Sequence, residues 1–157
     1  MNILKSILLP LIFITQLADA QINPANVTIA RDSWGVPHIF AETDPEVAYG
    51  LAYAHAEDDF KTIQFTLLGG KQLLGRYLGK NGAAVDYAVA LIRARKTVQE
   101  NINTLSPEYK ALMTGYVEGI NAYAKTHPKE VLVKGAFPAT IEDQLTASML
   151  SIASFSG

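Results

Sequence analysis

The chain has 157 residues, of which 18% are charged, and its formal net charge at pH 7 is −2. This composition is typical of a globular protein rather than a disordered one, and it lacks the excess of basic residues that indicates a nucleic-acid partner. Because the chain contains no cysteine, it can form no disulfide framework, thiolate metal site or cysteine nucleophile. Its stability must therefore come from packing and hydrogen bonding.

The first twenty residues have the three parts of a secretory signal peptide. A short basic segment ends at Lys5, an apolar stretch covers residues 7–14, and Ala18-Asp19-Ala20 is a typical cleavage site. A transmembrane anchor, the alternative, needs roughly 18 to 20 apolar residues, and this shorter stretch is interrupted by Pro10. We therefore expect a periplasmic or secreted protein with no membrane anchor.

Two short β-prone runs follow the predicted signal peptide. Residues 27–31 alternate apolar and polar side chains with the period of a half-buried strand, residues 32–35 have the composition of a turn, and residues 36–40 form the second run. Pro37 cannot donate to a sheet ladder, so it should lie at a strand start or on an edge. The pattern predicts an N-terminal β-hairpin.

Helices are predicted for most of the remaining chain. Thr43 opens a capping box, and residues 47–56 are apolar on nearly every side, as in a buried helix. A second helix is expected from about Phe60, with an irregular tail that ends near Gly79. Residues 80–84 are expected to be a loop.

The clearest amphipathic helix follows Ser106, which has the residue type of an N-cap. Apolar side chains recur at three-and-four spacing over residues 109–124. Gly115 and Gly119 within it indicate close approach of a neighbouring backbone rather than ligand binding. A last helix is predicted to open at residues 140–143.

Together these elements predict a mostly α-helical fold with a short N-terminal β-hairpin. Residues 1–20 are assigned to the signal peptide and residues 21–157 to one incomplete domain. The domain is expected to be incomplete because the last apolar helix needs a partner surface to cover it.

Few side chains carry a signal for chemistry. His55, Asp58 and Asp59 have the i, i+3, i+4 spacing that can place one nitrogen and two oxygen ligands on a helix face, but no second cluster completes a ligand set, and a polar helix end is the better interpretation. His38 is expected to hydrogen-bond to backbone. No serine lies in a G-x-S-x-G motif. We therefore assign no catalytic residue and no metal ligand in this chain.

Residues 29–41, IARDSWGVPHIFA, and residues 49–58, YGLAYAHAED, together resemble the opening signature of the penicillin acylase family. Residues 75–79, 116–123 and 140–143 then follow in the family's order, at about its usual separations. The element GRYLG at residues 75–79 looks closer to the acyl-homoserine lactone acylase branch. The resemblance covers nearly all of the chain after the predicted signal peptide.

Three positions depart from the family's pattern. Asp59 and Thr62 stand where the family usually shows arginine and glutamine, and Ala139 stands where a tryptophan commonly precedes the last helix. The change at Asp59 is expected to alter a buried ion pair, in which an unpaired charge would be costly.

The resemblance implies an N-terminal nucleophile hydrolase with a four-layered αββα fold, of which this chain is the N-terminal α portion. Such a precursor is exported and cleaves itself, and the first residue of the resulting β chain is the nucleophile, activated by its own α-amino group. The implied partner is the chain's own β chain. The α portion alone is expected to be inactive, and calcium is an expectation for the full-length protein only.

The implied activity is that of an amide (non-peptide C–N) hydrolase, which acts through an acyl-enzyme on a small N-acyl substrate such as an N-acyl-homoserine lactone or a β-lactam side chain. The helix after Thr140 would contribute apolar wall to the acyl pocket, and Met149, Ile152 and Phe155 are the candidates. Apolar residues at this spacing can equally be plain core. The functional alternative is a non-catalytic exported helical protein or the inactive remnant of a truncated gene.

Overall fold

The computed structural model describes residues 22–155, and their side chains as far as Ile152. The predicted signal peptide lies outside the described residues. Strands β1 (Thr28–Arg31) and β2 (Pro37–Phe40) pair antiparallel, with Ile29 opposite Ile39. The predicted hairpin is confirmed, and Pro37 lies at the start of its strand, where its missing donor breaks no ladder.

Six α-helices follow within the described part of the chain. They are α1 (Asp44–Gly70), α2 (Leu74–Leu78), α3 (Lys80–Leu91), α4 (Ala94–Asn101), α5 (Pro107–Thr126) and α6 (Ile141–Phe155). Short 3-10 helices cover Pro24–Asn26, Ile102–Thr104 and Pro128–Glu130. The predicted fold class, mostly helical with an N-terminal hairpin, is confirmed. Between residues 22 and 155, no helix is both long enough and apolar enough to cross a membrane.

Helix α1 contains both helices that the sequence predicts before Gly70. As expected, Thr43 caps the helix, and its hydroxyl accepts a hydrogen bond from the backbone amide of Glu46. At Asp59 the backbone is non-helical, with φ −154° and ψ 69°. The Asp59 carboxylate accepts from the amide of Thr62 at 3.0 Å and from its hydroxyl at 2.6 Å, so it caps the second half of the helix.

This capping corrects the expectation that Asp59 alters a buried ion pair. Its side chain is exposed and its partner is Thr62. The two neighbouring departures from the family's pattern therefore hydrogen-bond to each other. Asp59 needs no ion-pair partner, because an aspartate at the start of a helix can accept a hydrogen bond from the backbone amide three residues later.

The predicted loop at residues 80–84 is wrong, because this segment is the first turn of α3. Glycines in the segment suggest breaks, yet a Cβ at Gly82 would lie 2.3 Å from the carbonyl oxygen of Leu74. The glycine is therefore required where α3 packs on α2. The Asp86 carboxylate also accepts from the amides of Leu74 and Gly75, at 3.0 and 2.8 Å, and so caps the start of α2.

The core lies where α1 packs along α5, with α6 across both. A Cβ at Gly115 would lie 2.1 Å from the carbonyl oxygen of Pro45, and one at Gly119 would lie 2.2 Å from that of Tyr49. The predicted close approach of a neighbouring backbone is thus confirmed. The buried cluster between these helices contains Ala52, Ala56, Phe60, Leu67, Val117, Ile120, Tyr123, Ala124 and Ala139.

Candidate substrate-binding site around the last helix

The start of α6 is held in place by hydrogen bonds from α5 and from its own first turn. The Asn121 amide donates to the carbonyl oxygen of Ala139 at 2.9 Å and accepts from the Ala139 amide at 2.7 Å. Thr140 and Asp143 form a reciprocal cap, since each side chain accepts from the other's backbone amide. The helix therefore begins at a defined position relative to the core.

Asp143 also ties α6 to α1 and α4. Its side chain is 4% exposed, and its carboxylate lies 3.0 Å from Lys71 Nζ and contacts the guanidinium of Arg95. Burial by itself would raise the pKa of Asp143, but hydrogen bonds from Lys71, the Thr140 amide and Arg95 outweigh it and lower the pKa below its ordinary value. The carboxylate is therefore charged at neutral pH and orients α6.

An apolar groove of about 240 Å³ lies beside α6, and we call it the α4–α6 groove. It is lined by Thr97, Val98, Asn101, Ile102, Leu105, Tyr109, Leu145, Ser148, Met149 and Ile152. Two of the three predicted pocket residues, Met149 and Ile152, thus line one groove, and they are 37% and 69% exposed. Within the described residues, neither side chain is packed in the core. The side chain of Phe155 lies outside the described residues.

A second groove, of about 330 Å³, lies where α1, α5 and α6 meet. We call it the α1–α5 groove, and it is lined by Asp44, Val47, Ala48, Leu51, Leu112, Met113, Tyr116 and Gln144. This groove was not predicted from the sequence. The only sequence signal was the apolar i, i+4 pair Val47 and Leu51 on α1, and in the structure both side chains are more than a third exposed.

The structure does not bring the histidine and carboxylate candidates together as ligands. Asp58 pairs with Arg31 at 2.9 Å, Asp59 caps a helix, and the His55 ring packs edge-on against Tyr116. Among the described residues, no group of three or more histidine or acidic side chains is arranged to hold a metal ion. Calcium requires six to eight oxygen ligands, so it stays a prediction for the full-length protein.

His38 and Arg31 belong to the family signature and have structural roles here. The expected backbone partner of His38 is wrong, because Nε2 lies 3.4 Å from Asp32 Oδ2 on the exposed side of the hairpin. Arg31 donates to the carbonyl oxygen of Gly35 at 2.8 Å and pairs with Glu57 at 3.1 Å. The ion pairs of Arg31 with Glu57 and Asp58 attach the hairpin to α1.

Comparison with known proteins identifies the family to which this fold belongs. A family model described as penicillin amidase matches residues 26–155. The structure resembles that of a thermostable penicillin G acylase from Alcaligenes faecalis, with a TM-score of 0.69 and 25% identity, over 82% of this chain and 73% of that chain. The chain belongs to the penicillin amidase family.

The curated relatives include proteins named as penicillin acylases and as acyl-homoserine lactone acylases. Penicillin acylase 2 proenzyme of Pseudomonas sp. (strain SE83) is 31% identical over 63% of this chain and 13% of its own length. Penicillin G acylase of Escherichia coli is 27% identical over 73% and 14%. Acyl-homoserine lactone acylase QuiP of Pseudomonas syringae pv. tomato is 25% identical over 83% and 16%. The chain therefore spans about an eighth to a sixth of the length of these relatives.

Proposed function

We propose that this chain is the α portion of an exported amidohydrolase that cleaves an N-acyl amide through an acyl-enzyme. The observation that carries the proposal is the family match over residues 26–155. The relatives that align with the chain include one named as a penicillin acylase and one named as an acyl-homoserine lactone acylase. The substrate is an N-acyl-homoserine lactone or the side chain of a β-lactam.

In this proposal the chemistry is divided between two chains. The nucleophile is the first residue of a β chain released by autoproteolysis, and its free α-amino group serves as the base. The α portion contributes apolar wall for the acyl group. Met149 and Ile152 are suited to this role, because they are exposed and line one groove beside α6. Phe155 is the third candidate.

The test is amine release by the whole gene product, purified from the periplasm or the medium. We expect release from at least one member of a panel of N-acyl-homoserine lactones and β-lactams. Ile152→Asp should lower release by about tenfold or more, because it adds an unpaired charge to an apolar wall. Val85→Asp, at an exposed position on α3, is the matched control and should leave the rate unchanged.

A folded gene product that releases no amine from any of these substrates refutes the proposal and supports the non-catalytic alternative. Sequencing the N-terminus of the exported protein tests the proposed processing separately. A start at Gln21 supports the signal peptide of residues 1–20, whereas retention of Met1 contradicts it.

A further inference from the structure

The segment from α2 to the start of α4 differs in charge from the rest of the chain. The whole chain has a net charge of −2, whereas residues 71–96 contain one acidic residue, Asp86, and six basic residues, which are Lys71, Arg76, Lys80, Arg93, Arg95 and Lys96. The Asp86 carboxylate faces the protein, since it accepts from the amides of Leu74 and Gly75. The charge that this segment exposes is therefore positive.

Three basic side chains of this segment, Arg76, Lys80 and Arg93, have no acidic partner within the described part of the chain. All three residues are exposed, and none of the ion pairs within residues 22–152 includes them. The other three basic residues of the segment pair with acidic side chains of α4 and α6. The first three are therefore available to an anionic partner.

Helix α3 exposes one largely apolar side. Gly82, Asp86 and Val89 lie on the side that packs against the protein. The opposite side, at spacings of three and four residues, is formed by exposed residues that we call the α3 face: Lys80, Ala84, Tyr87, Ala88 and Leu91. Tyr87 is 66% and Leu91 64% exposed. None of these residues lines either groove beside α6, so the α3 face is a helix surface rather than a wall of those clefts.

Basic side chains mark both ends of the α3 face. Lys80 is the first residue of the helix, and the exposed Leu78 precedes it. At the other end the exposed Ile92 terminates the helix, and Arg93 follows in a left-handed conformation with φ 56°. An exposed apolar helix side with an aromatic residue, basic ends and no exposed acidic residue is typical of a helix that lies in the interface of an anionic lipid bilayer.

We propose that the α3 face binds peripherally to an anionic phospholipid bilayer, with Tyr87 and Leu91 inserted among the lipids and Lys80 and Arg93 at the headgroups. A protein partner is less complementary, because lysine is depleted at protein–protein interfaces. Beside a bilayer, a lysine can lay its apolar stem along the surface and keep its ammonium at the headgroups. Such binding is reversible and needs no membrane-spanning helix. It does not depend on the proposed function.

Flotation of the whole gene product with lipid vesicles tests the role of charge. Binding to vesicles of phosphatidylglycerol and phosphatidylcholine should exceed binding to phosphatidylcholine alone, by roughly fivefold for each basic side chain at the surface, and should weaken as salt is added. The double variant Lys80→Gln, Arg93→Gln should lower binding to the anionic vesicles by roughly 25-fold. Lys125→Gln with Lys129→Gln, which removes the same charge at exposed positions elsewhere, is the matched control and should bind as the wild type does.

A single substitution tests the insertion of apolar side chains. Leu91→Gln should lower binding to the anionic vesicles by roughly tenfold or more, because the leucine side chain no longer buries its apolar area in the bilayer. Val85→Gln is the matched control, since Val85 is an exposed apolar residue of the same helix that lies outside the α3 face, and it should bind as the wild type does. Circular dichroism verifies that each variant is folded.

Three outcomes overturn the inference: no binding to the anionic vesicles, equal losses for the two double variants, or binding that Leu91→Gln does not weaken. The first is the result expected if further polypeptide covers the α3 face, and it would assign this face to a protein interface instead. Amine release from soluble substrates is measured separately. Normal amine release without vesicle binding overturns this inference alone, whereas vesicle binding by a protein that releases no amine supports it and refutes the proposed function.

Discussion

Gly115 and Gly119 have no side chain, and this allows α5 to approach the backbone of α1 closely. A Cβ at Gly119 would lie 2.2 Å from the carbonyl oxygen of Tyr49 and 2.9 Å from the Cβ of Ala52. Both contacts are much shorter than van der Waals distance, so the two helices would have to separate. The sequence shows the glycine pair, but only the packed structure shows which backbone it contacts.

Gly119→Ala should therefore destabilise the protein by about 1–3 kcal/mol, as overpacking does in a well-packed core. The gain in helix propensity, about 1 kcal/mol, is smaller than the strain. Gly69→Ala is the matched control, because its added Cβ would meet no atom closer than 3.6 Å, and it should be neutral or slightly stabilising. Urea unfolding followed by circular dichroism measures both, and equal midpoints for the two variants would contradict the argument.

Asp143 makes the stability depend on pH. Because its pKa is lowered in the folded state, its contribution is fully present above the ordinary aspartate pKa of about 4 and is lost as the pH falls through the lowered value. Asp143→Asn should cost about 2 kcal/mol at pH 7, the scale of a charge-assisted hydrogen-bond network.

The difference between Asp143→Asn and wild type should stay constant from pH 7 to about 5 and shrink below about 4. Unfolding curves across this range measure it. Glu100→Gln removes an exposed i, i+4 pair with Lys96 and should cost less than about 0.5 kcal/mol. A difference that is constant down to pH 2 would show that the Asp143 charge does not stabilise the fold.

Among the elements, α1 is divided at Asp59 by a kink, and the Asp59 side chain caps the helical segment that follows. Asp59 accepts from Thr62 and starts the second half of the helix. Asp59→Ala should destabilise the protein by about 1 kcal/mol, the usual cost of losing an N-cap, whereas Asp59→Asn should retain most of the stability. Lys61→Ala, at an exposed neighbouring position, controls for surface truncation. Thermal unfolding distinguishes them, and equal losses for alanine and asparagine would argue against capping.

Local signals were sufficient for some elements and not for others. The sequence correctly predicts the hairpin, the Ser106 cap of α5 and the start of α6 at residues 140–143, because each depends on residues close in sequence. Helix α3 was missed because Gly82 resembles a helix breaker, whereas its role is a contact with Leu74 on another helix. Helix α4 was missed as well.

For the molecule as a whole, the hairpin exposes three large apolar side chains among the described residues. Trp34 is 89% exposed, and Val36 and Phe40 are more than half exposed. Exposed apolar patches of this kind commonly mark interaction surfaces. Under the proposed function, the β chain covers this one.

Trp34 is the single tryptophan of the chain and reports on that surface. In residues 21–157 alone, acrylamide should quench its fluorescence nearly as readily as in the urea-unfolded chain, which is the control. In the processed protein, in which the α chain is bound to the β chain, Trp34 should be protected from quenching by acrylamide. The β-chain tryptophans are replaced beforehand so that only Trp34 is observed. Equal quenching in both forms would show that the hairpin is not covered.

The family, the helical class, the hairpin and the helix that carries Met149 and Ile152 are all predictable from the order of the amino acids. These features follow from residue order, periodicity and capping, which act over a few residues. Only the folded arrangement of the helices shows that Met149 shares a groove with Ile102 and Leu105, and that Asp143 pairs with Lys71 and Arg95. The physical reason is that these contacts join side chains about 45 to 70 residues apart, and helix packing sets their distances, which no local pattern encodes.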